Sequence, residues 1–298
     1  MLHCSSNSRI RRPLIYAFHF LFLFILACPL SSYAASGQEK KHFDLLGERL
    51  VKDGFNRKYV ERVYSSAGVH LETKGIALFS VHSEAKLNYN QFISKSNIRR
   101  AKKYLSKHRE ALQNAEKEFG VEKEIITAVI LVETRLGTFF GNSAILNTLS
   151  TMAVLSDPKS RDFVWKKMSK SKKHKRKAFD VWADKKKEWA YRELKAFLEY
   201  TKKEGLDPIT INGSYAGAMG IGQFMPSNIL KLARDGNKDG HIDLFNHADA
   251  IASIANYLRA HGWKPGIKHE KKYKVLLRYN YSKYYANTLL KIAENLKG

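Results

Sequence analysis

Residues 125–137 of this 298-residue chain read IITAVILVETRLG, an apolar run that holds one acidic side chain, Glu133. The run predicts a buried helix, and helical spacing places Glu133 on the same face as Val129, Ile130 and Ile126. A carboxylate is seldom buried unless it is paired or used in chemistry. Desolvation on this face is expected to raise the pKa of Glu133 and keep it protonated near neutral pH, the state that a general acid needs.

A glycine-rich segment follows at residues 213–227, which read GSYAGAMGIGQFMPS. Four glycines within ten residues disfavour a helix and suit a backbone that turns tightly or lets a ligand approach closely. Ser214 and Gln223 offer neutral hydrogen-bonding groups of the kind that sugar hydroxyl and acetamido groups require. The alternative is a plain connecting loop that runs into the helix predicted after Pro226.

Residues 235–243 read DGNKDGHID and follow the first half of an EF-hand calcium loop. Position 12 of that loop is Asn246 instead of the usual glutamate, and Asp249 is the nearest acidic substitute. The alternative is an Asx-rich turn without a metal. The residues predicted to hold calcium are Asp235, Asn237, Asp239, His241 and Asp249.

Aromatic and amide side chains recur together in residues 255–263 (ANYLRAHGW) and 278–286 (RYNYSKYYA). Rings next to amides suit stacking on sugars together with hydrogen bonding. Taken alone, each such residue is more often an ordinary core or surface side chain.

The chain has a formal net charge of +24, which predicts an anionic partner: nucleic acid, an acidic membrane surface or an anionic polymer. Its N-terminus has the layout of a secretory signal peptide over residues 1–34, with a basic start, a long apolar run and small residues before a cut after Ala34. The alternatives are an uncleaved anchor and lipid attachment at Cys28. Both cysteines of the chain lie in this segment, so a mature protein of residues 35–298 would contain none.

Export makes nucleic acid a poor candidate partner and favours an anionic polymer or membrane surface of the cell envelope. Residues 166–177 hold eight lysines and arginines among twelve residues, and the Lys-rich segment 166–187 is either a solvated face or a contact strip for such a polymer.

Helical spacing dominates the rest of the chain, which predicts a mainly α fold of the α+β class. Helices are expected from about residue 42 to 64, over 98–119 with a cap at Gly120, and within 139–155. Residues 69–95 show weaker periodicity and several β-formers, and are predicted to be extended or irregular.

The four motifs, in this order, resemble the membrane-bound lytic murein transglycosylase B family. The likeness is close over residues 132–137, 213–226, 239–242 and 255–263. It extends over essentially the whole mature chain and is weaker before residue 110. It implies a lysozyme-like catalytic core (116–298), which includes the Lys-rich insert 166–187 and the EF-hand-like loop 235–249, with an additional helical part (35–115) and a small inserted subdomain. Leu136 departs from the family, which commonly has Trp there.

The resemblance implies cleavage of the β-1,4 bond between N-acetylmuramic acid and N-acetylglucosamine in the glycan strands of peptidoglycan, without water, leaving a 1,6-anhydromuramic end. It implies a periplasmic location in a Gram-negative-type envelope, with possible membrane attachment, a monomeric state and no organic cofactor. Glu133 matches the family's catalytic glutamate, and the loop matches its calcium site. Matches to the glycan cleft are Ser214, Gln223, Tyr257, Tyr279 and Asn280. Two alternatives are a hydrolytic muramidase and a catalytically idle wall-binding protein.

Overall fold

The structure of the protein is a computed structural model that describes residues 37–83, 87–168 and 175–297. The predicted signal peptide, its cleavage site and Cys28 lie outside these residues. Within them the fold is mainly α, as predicted, with thirteen α-helices and one pair of very short strands. Within these ranges we find no helix that combines the length and the apolar character needed to span a bilayer.

The elements are α1 (Gly37–Lys52), α2 (Arg57–Ser65), α3 (Thr73–Ser80), a 3-10 helix (Tyr89–Ile93), α4 (Lys95–Lys107), α5 (Arg109–Phe119), α6 (Lys123–Thr134), β1 (Ser143–Ala144), α7 (Ile145–Val154), α8 (Pro158–Lys167), α9 (Arg176–Lys203), β2 (Asn212–Gly213), α10 (Pro226–Leu232), α11 (His247–Ala260), α12 (His269–Tyr279) and α13 (Lys283–Lys297).

Helix α6 is the helix predicted around Glu133, and it lies at the centre of the fold. Every residue from Glu124 to Leu131 is buried, which is the pattern of a core helix that is apolar on all sides. Helices α4, α5, α11 and α13 pack around it. Helix α6 begins three residues after Gly120, which caps α5 in the left-handed conformation with φ 69°, as predicted.

A second group of helices is organised around α9, which is 28 residues long. Helices α7 and α10 pack against it, and α1 and α3 pack against α7. All ten residues of α7 are buried. Helices α10 and α11 are in contact and connect the two groups, whose buried residues form one core.

The prediction for residues 69–95 was wrong, because this stretch contains α3 and a 3-10 helix. Gly75, Ile76 and Ala77 of α3 are buried, and α3 packs against α7. Glu72 begins α3 by accepting a hydrogen bond from the Gly75 amide at 2.9 Å. Tertiary burial and this cap stabilise a helix in a stretch whose local propensity is weak. The predicted helix over 98–119 is divided at His108 into α4 and α5.

The short antiparallel pair β1–β2 holds the glycine-rich loop against the helices, with Ser143 opposite Gly213. Single bridges continue this pairing from Gly213 to Met219 and from Met219 to Phe224. A Cβ atom at Gly213 would lie 2.1 Å from the carbonyl oxygen of Ala218. The close approach of the two backbones therefore requires glycine at this position.

The Lys-rich segment 166–187 is described except for residues 169–174, and its described part is helical at both ends. Some of its cations are paired on the surface: Lys166 with Asp162, and Arg176 with both Asp162 and Asp180. Such exposed pairs contribute little to stability, and they neutralise part of the local charge.

Candidate active site

Glu133 lies in the last turn of α6, half-buried, where the negative end of the helix macrodipole disfavours a charged carboxylate. The hydroxyl of Tyr285, on α13, donates a hydrogen bond of 2.6 Å to Glu133 Oε1. Tyr285 is only 1% exposed. Burial, followed by the charge of Glu133, raises the pKa of Tyr285 well above its usual value, so the phenol keeps its proton and acts as a donor.

The backbone that follows Glu133 turns sharply through two residues that are not glycine. Arg135 and Leu136 have φ values of 53° and 70°, a left-handed conformation that costs a non-glycine residue about 1 kcal/mol or more. The buried hydroxyl of Thr134 donates to the carbonyl of Ile221 at 2.8 Å and accepts from the Gly137 amide at 3.1 Å. These bonds fix the end of α6 against the glycine-rich loop.

Two predicted site residues, Tyr279 and Tyr257, form a continuous group of rings with Tyr285. The Tyr279 and Tyr285 rings are nearly parallel with centroids 6.4 Å apart, and Tyr257 meets Tyr279 edge-on at 4.8 Å. Burial, and then the charge of Glu133, raises the pKa of Tyr279 well above its usual range. The structure therefore brings Glu133, Tyr279 and Tyr257 into one cluster of neutral phenols.

The glycine-rich loop joins this cluster through its backbone. Tyr279 donates to the carbonyl of Gly222 at 2.5 Å, directly before Gln223. Gln223 itself has a left-handed φ of 50°, and its amide donates to the carbonyls of Gly220 and Phe140. The strained backbone and the double anchor hold the Gln223 side chain in one orientation beside the cluster.

Ser214 and Asn280 have local structural roles as well as predicted site roles. The Ser214 hydroxyl oxygen accepts from the amides of Ala216 and Ala218 and so shapes the glycine-rich turn. Asn280 ends α12 in an extended conformation directly after Tyr279, and its carbonyl accepts from the Ser282 amide at 2.7 Å.

Sequence analysis did not select Tyr285, although it lies in the quoted aromatic segment 278–286. The available signal was its position on the helix that follows Asn280, six residues beyond Tyr279. The spacing alone does not distinguish a tyrosine that reaches Glu133 from one that is exposed, such as Tyr281, which is 92% exposed.

The EF-hand-like loop lies before α11, and its carboxylates accept hydrogen bonds from the loop's own backbone. Asp235 accepts from the amides of Lys238 and Gly240 at 2.6 and 2.8 Å. Asp249, which is 1% exposed, accepts from Gly236 at 2.9 Å and Asp243 at 2.8 Å. Burial raises the pKa of Asp249, since the charged form loses hydration.

The remaining predicted ligands lie in the same loop. The Asn237 amide donates to Asp239 at 2.7 Å, and the exposed His241 ring lies 3.4 Å from Glu204. Among residues 37–83, 87–168 and 175–297, no three or more His, Cys, Asp or Glu side chains converge as a metal site. The oxygen donors and their order still fit calcium chemistry, because a cation would compensate the buried carboxylate of Asp249.

Comparison with known protein families gives a direct match. The sequence model described as the transglycosylase SLT domain matches residues 38–271. Membrane-bound lytic murein transglycosylase B of Escherichia coli (strain K12) is 34% identical over 226 residues, which cover 72% of this chain and 55% of that protein. The chain thus spans about half the length of this curated relative.

Solved structures share the fold at low sequence identity. The Escherichia coli lytic transglycosylase Slt35 in complex with calcium superposes with a TM-score of 0.66 and 22% identity, covering 89% of this chain and 96% of that one. Pseudomonas aeruginosa SltB3, solved in complex with NAG-NAM-pentapeptide, gives a TM-score of 0.67 and 19% identity, covering 88% and 80%. The helices described above therefore form the lysozyme-like fold of lytic transglycosylases.

Proposed function

The chain belongs to the transglycosylase SLT domain family, and we propose that it cleaves the β-1,4 bond between N-acetylmuramic acid and N-acetylglucosamine without water. The product would be a 1,6-anhydromuramic end. One observation carries this proposal: Glu133, the acid of the proposed reaction, is held by the buried hydroxyl of Tyr285 within a cluster of neutral phenols.

In the first step Glu133, protonated, gives its proton to the bridging oxygen, and the bond from that oxygen to C1 of the muramic residue breaks. The substrate's own N-acetyl oxygen shields C1 as a cyclic oxazolinium, so no second protein carboxylate is required. Glu133 becomes a carboxylate, and the hydrogen bond from Tyr285 strengthens as this negative charge forms.

In the second step the Glu133 carboxylate removes the proton from the C6 hydroxyl of the same sugar. The C6 oxygen attacks C1, the oxazolinium opens to regenerate the N-acetyl group, and Glu133 is protonated again. Because the nucleophile belongs to the substrate, positioning supplies much of the rate acceleration. The strained turn after Glu133 and the bond from Thr134 to the glycine-rich loop fix the geometry that this step needs.

The proposal is tested with Glu133→Gln and purified peptidoglycan sacculi. We expect the variant to keep its melting temperature and to release no muropeptides, because the amide cannot donate the required proton. Mass spectrometry of wild-type products should show anhydro ends. Normal release by Glu133→Gln would refute the mechanism, and reducing ends would instead identify a hydrolytic muramidase.

The cleft that we propose for the glycan is lined by the rings and amides beside Glu133. The rings of Tyr257 and Tyr279 support it, and Gln223, Asn280 and Ser214 border it. The complex of SltB3 with NAG-NAM-pentapeptide supports a peptide-bearing disaccharide as the unit recognised. In this proposal the core of residues 116–298 contains the cleft, and residues 35–115 form the additional helical part.

We further propose that the loop 235–249 binds calcium as a structural ion and that no organic cofactor takes part. The ligands would be Asp235, Asn237, Asp239, the carbonyl of His241 and Asp249, and the ion would compensate the buried charge of Asp249. The Slt35 complex with calcium supports this reading. Millimolar calcium should raise the melting temperature of the wild type but not of Asp239→Ala; equal melting curves with and without calcium would refute it.

A location in the periplasm, after export by the segment 1–34, is part of the same proposal. The name of the relative, a membrane-bound enzyme, supports attachment to the membrane at the N-terminus. The exposed lysines at both ends of the segment 166–187 are proposed to face an anionic envelope polymer or membrane surface, with Lys166 73% and Lys167 55% exposed at the side chain. Co-sedimentation with anionic vesicles and with sacculi, at low and high salt, would test this contact.

A further inference from the structure

A second group of aromatic side chains lies outside the tyrosine cluster, where α3, α9 and the glycine-rich loop meet. Phe79 of α3 is at its centre. Its ring lies 5.6 Å from that of Trp182, 6.4 Å from that of Trp189 and 5.9 Å from that of Tyr215. All four side chains are partly buried and partly exposed, and together they form an aromatic platform (Phe79, Trp182, Trp189 and Tyr215).

A lysine lies against this platform. Lys186 is one helical turn from Trp182 and from Trp189 on α9, and its Nζ lies 4.8 Å from the Phe79 centroid and 4.4 Å from the Trp189 centroid. Burial lowers the pKa of Lys186, and no charge on a described residue compensates for this. Within the described ranges the ammonium group has aromatic faces but no carboxylate as a partner, which leaves it suited to an anionic ligand.

The neighbouring lysines of α9 show that this environment is specific to Lys186. Lys185 is exposed and has no ring contact among the described residues, and Lys187 pairs with Asp184 at 3.0 Å. The three consecutive lysines therefore have three different surroundings, and Lys186 alone combines partial burial with the aromatic platform.

The glycine-rich loop connects the platform to the proposed glycan cleft along the chain. Tyr215 directly follows Ser214, and its hydroxyl lies 2.8 Å from Nδ1 of His82. The same loop continues to Gly222, whose carbonyl accepts a hydrogen bond from Tyr279 of the tyrosine cluster around Glu133. A substrate bound along this loop would extend from the cleft towards the platform.

We propose that the platform and Lys186 bind the carboxylate-bearing peptide stem of the peptidoglycan strand whose glycan occupies the cleft; the inference rests on the proposed function. In a peptide-free strand the one carboxylate of each disaccharide is the lactyl group, which is held next to the muramic ring. A stem peptide carries carboxylates that Lys186 can pair with and small apolar side chains that pack on aromatic faces. The charge and the rings together therefore favour the peptide over the sugar.

The test is a binding titration of the full chain, followed by tryptophan fluorescence, because two of the chain's four tryptophans lie in the platform. The ligands are a soluble N-acetylglucosamine–N-acetylmuramic acid disaccharide that carries a stem peptide, and the same disaccharide without the peptide. Lys186→Gln should raise Kd for the peptide-bearing ligand about 5-fold, the size expected for a partly exposed charge-assisted contact, and leave Kd for the peptide-free ligand unchanged. Lys185→Gln is the matched control on the same helix and should change neither value.

Two results would overturn the inference. Lys186→Gln could bind both ligands with the Kd values of the wild type, or it could raise Kd equally for both ligands. Trp189→Leu gives a second, uncharged test and should also weaken only the peptide-bearing ligand. Melting curves establish that each variant is folded. Product analysis on sacculi separates the two proposals, since a wild type that forms no anhydro ends but still prefers the peptide-bearing ligand refutes the reaction and supports the peptide site.

Discussion

Tyr285→Phe removes one hydroxyl from the core and leaves the ring in place. The lost group is the donor of the 2.6 Å hydrogen bond to Glu133 Oε1. In the proposed reaction Glu133 changes from a neutral acid to a carboxylate, so this bond is stronger in the transition state than before it. The variant should therefore lower kcat and leave KM nearly unchanged.

The size of the effect follows from the burial of the bond. A hydrogen bond to a charged group contributes about 1.5–3 kcal/mol. Because Tyr285 is only 1% exposed, bulk water does not replace the hydroxyl that the variant lacks. A loss of about 2 kcal/mol corresponds to a fall in kcat of about 30-fold. The same loss destabilises the Glu133 carboxylate, so the alkaline limb of the pH–rate profile should move up by about 1.5 pH units.

The assay is the initial rate of muropeptide release from sacculi between pH 4 and 9, for the wild type and for Tyr285→Phe. Tyr64→Phe is the matched control, because its hydroxyl bonds to Ser150 at 2.8 Å between α2 and α7, and α6 contributes nothing to that bond. The control should show a similar loss of stability with an unchanged profile. An unaltered kcat and an unaltered alkaline limb in Tyr285→Phe would refute the role assigned to this tyrosine.

Three further predictions concern stability. Thr134→Val leaves a buried carbonyl of the glycine-rich loop without its donor and should lower the free energy of unfolding by about 1–3 kcal/mol in denaturant titration; an unchanged value would contradict the bond's role in joining α6 to the loop. Gly213→Ala places a methyl group 2.1 Å from a backbone oxygen and should lower the melting temperature by several degrees, about 2 kcal/mol or more; a melting temperature equal to that of the wild type would contradict the need for glycine at this position. Burial, then the charges of His247 and Lys107, lowers the pKa of His108 to about 4, so the folded state binds the proton more weakly than the unfolded state does. The contribution of neutral His108 to the free energy of unfolding is complete above about pH 6.5 and is lost as the pH falls towards 4. After allowance for the partial exposure of His108, His108→Gln should reduce the loss of stability at acid pH by about 1 kcal/mol. Identical curves of stability against pH for the variant and the wild type would contradict this role of His108.

Elements with a strong local signal agree with the sequence predictions. The apolar run before Glu133 forms α6, Gly120 caps α5, and the segment 139–155 contains a turn and α7. These succeed because helical periodicity and a left-handed glycine are local properties of the chain. Helix α3 was not predicted, because its stability comes from packing on α7 and not from a periodic apolar pattern in its own sequence.

For the candidate site, too, the sequence predicted some features and left others undecided. The four motifs selected Glu133, Tyr257, Tyr279 and Gln223, and the structure brings these residues together at the end of α6. Metal binding by the loop 235–249 stays a prediction, because the loop's carboxylates here accept bonds from its own amides.

The sequence by itself determined the class of fold, the unusual acid in an apolar helix and the family to which the motifs point. Tertiary structure alone decided which of the tyrosines in residues 278–286 reaches Glu133, and which of three consecutive lysines lies against aromatic rings. The physical reason is that helical spacing assigns a residue to a face of its own helix, whereas its partner is set by how helices from distant parts of the chain pack together.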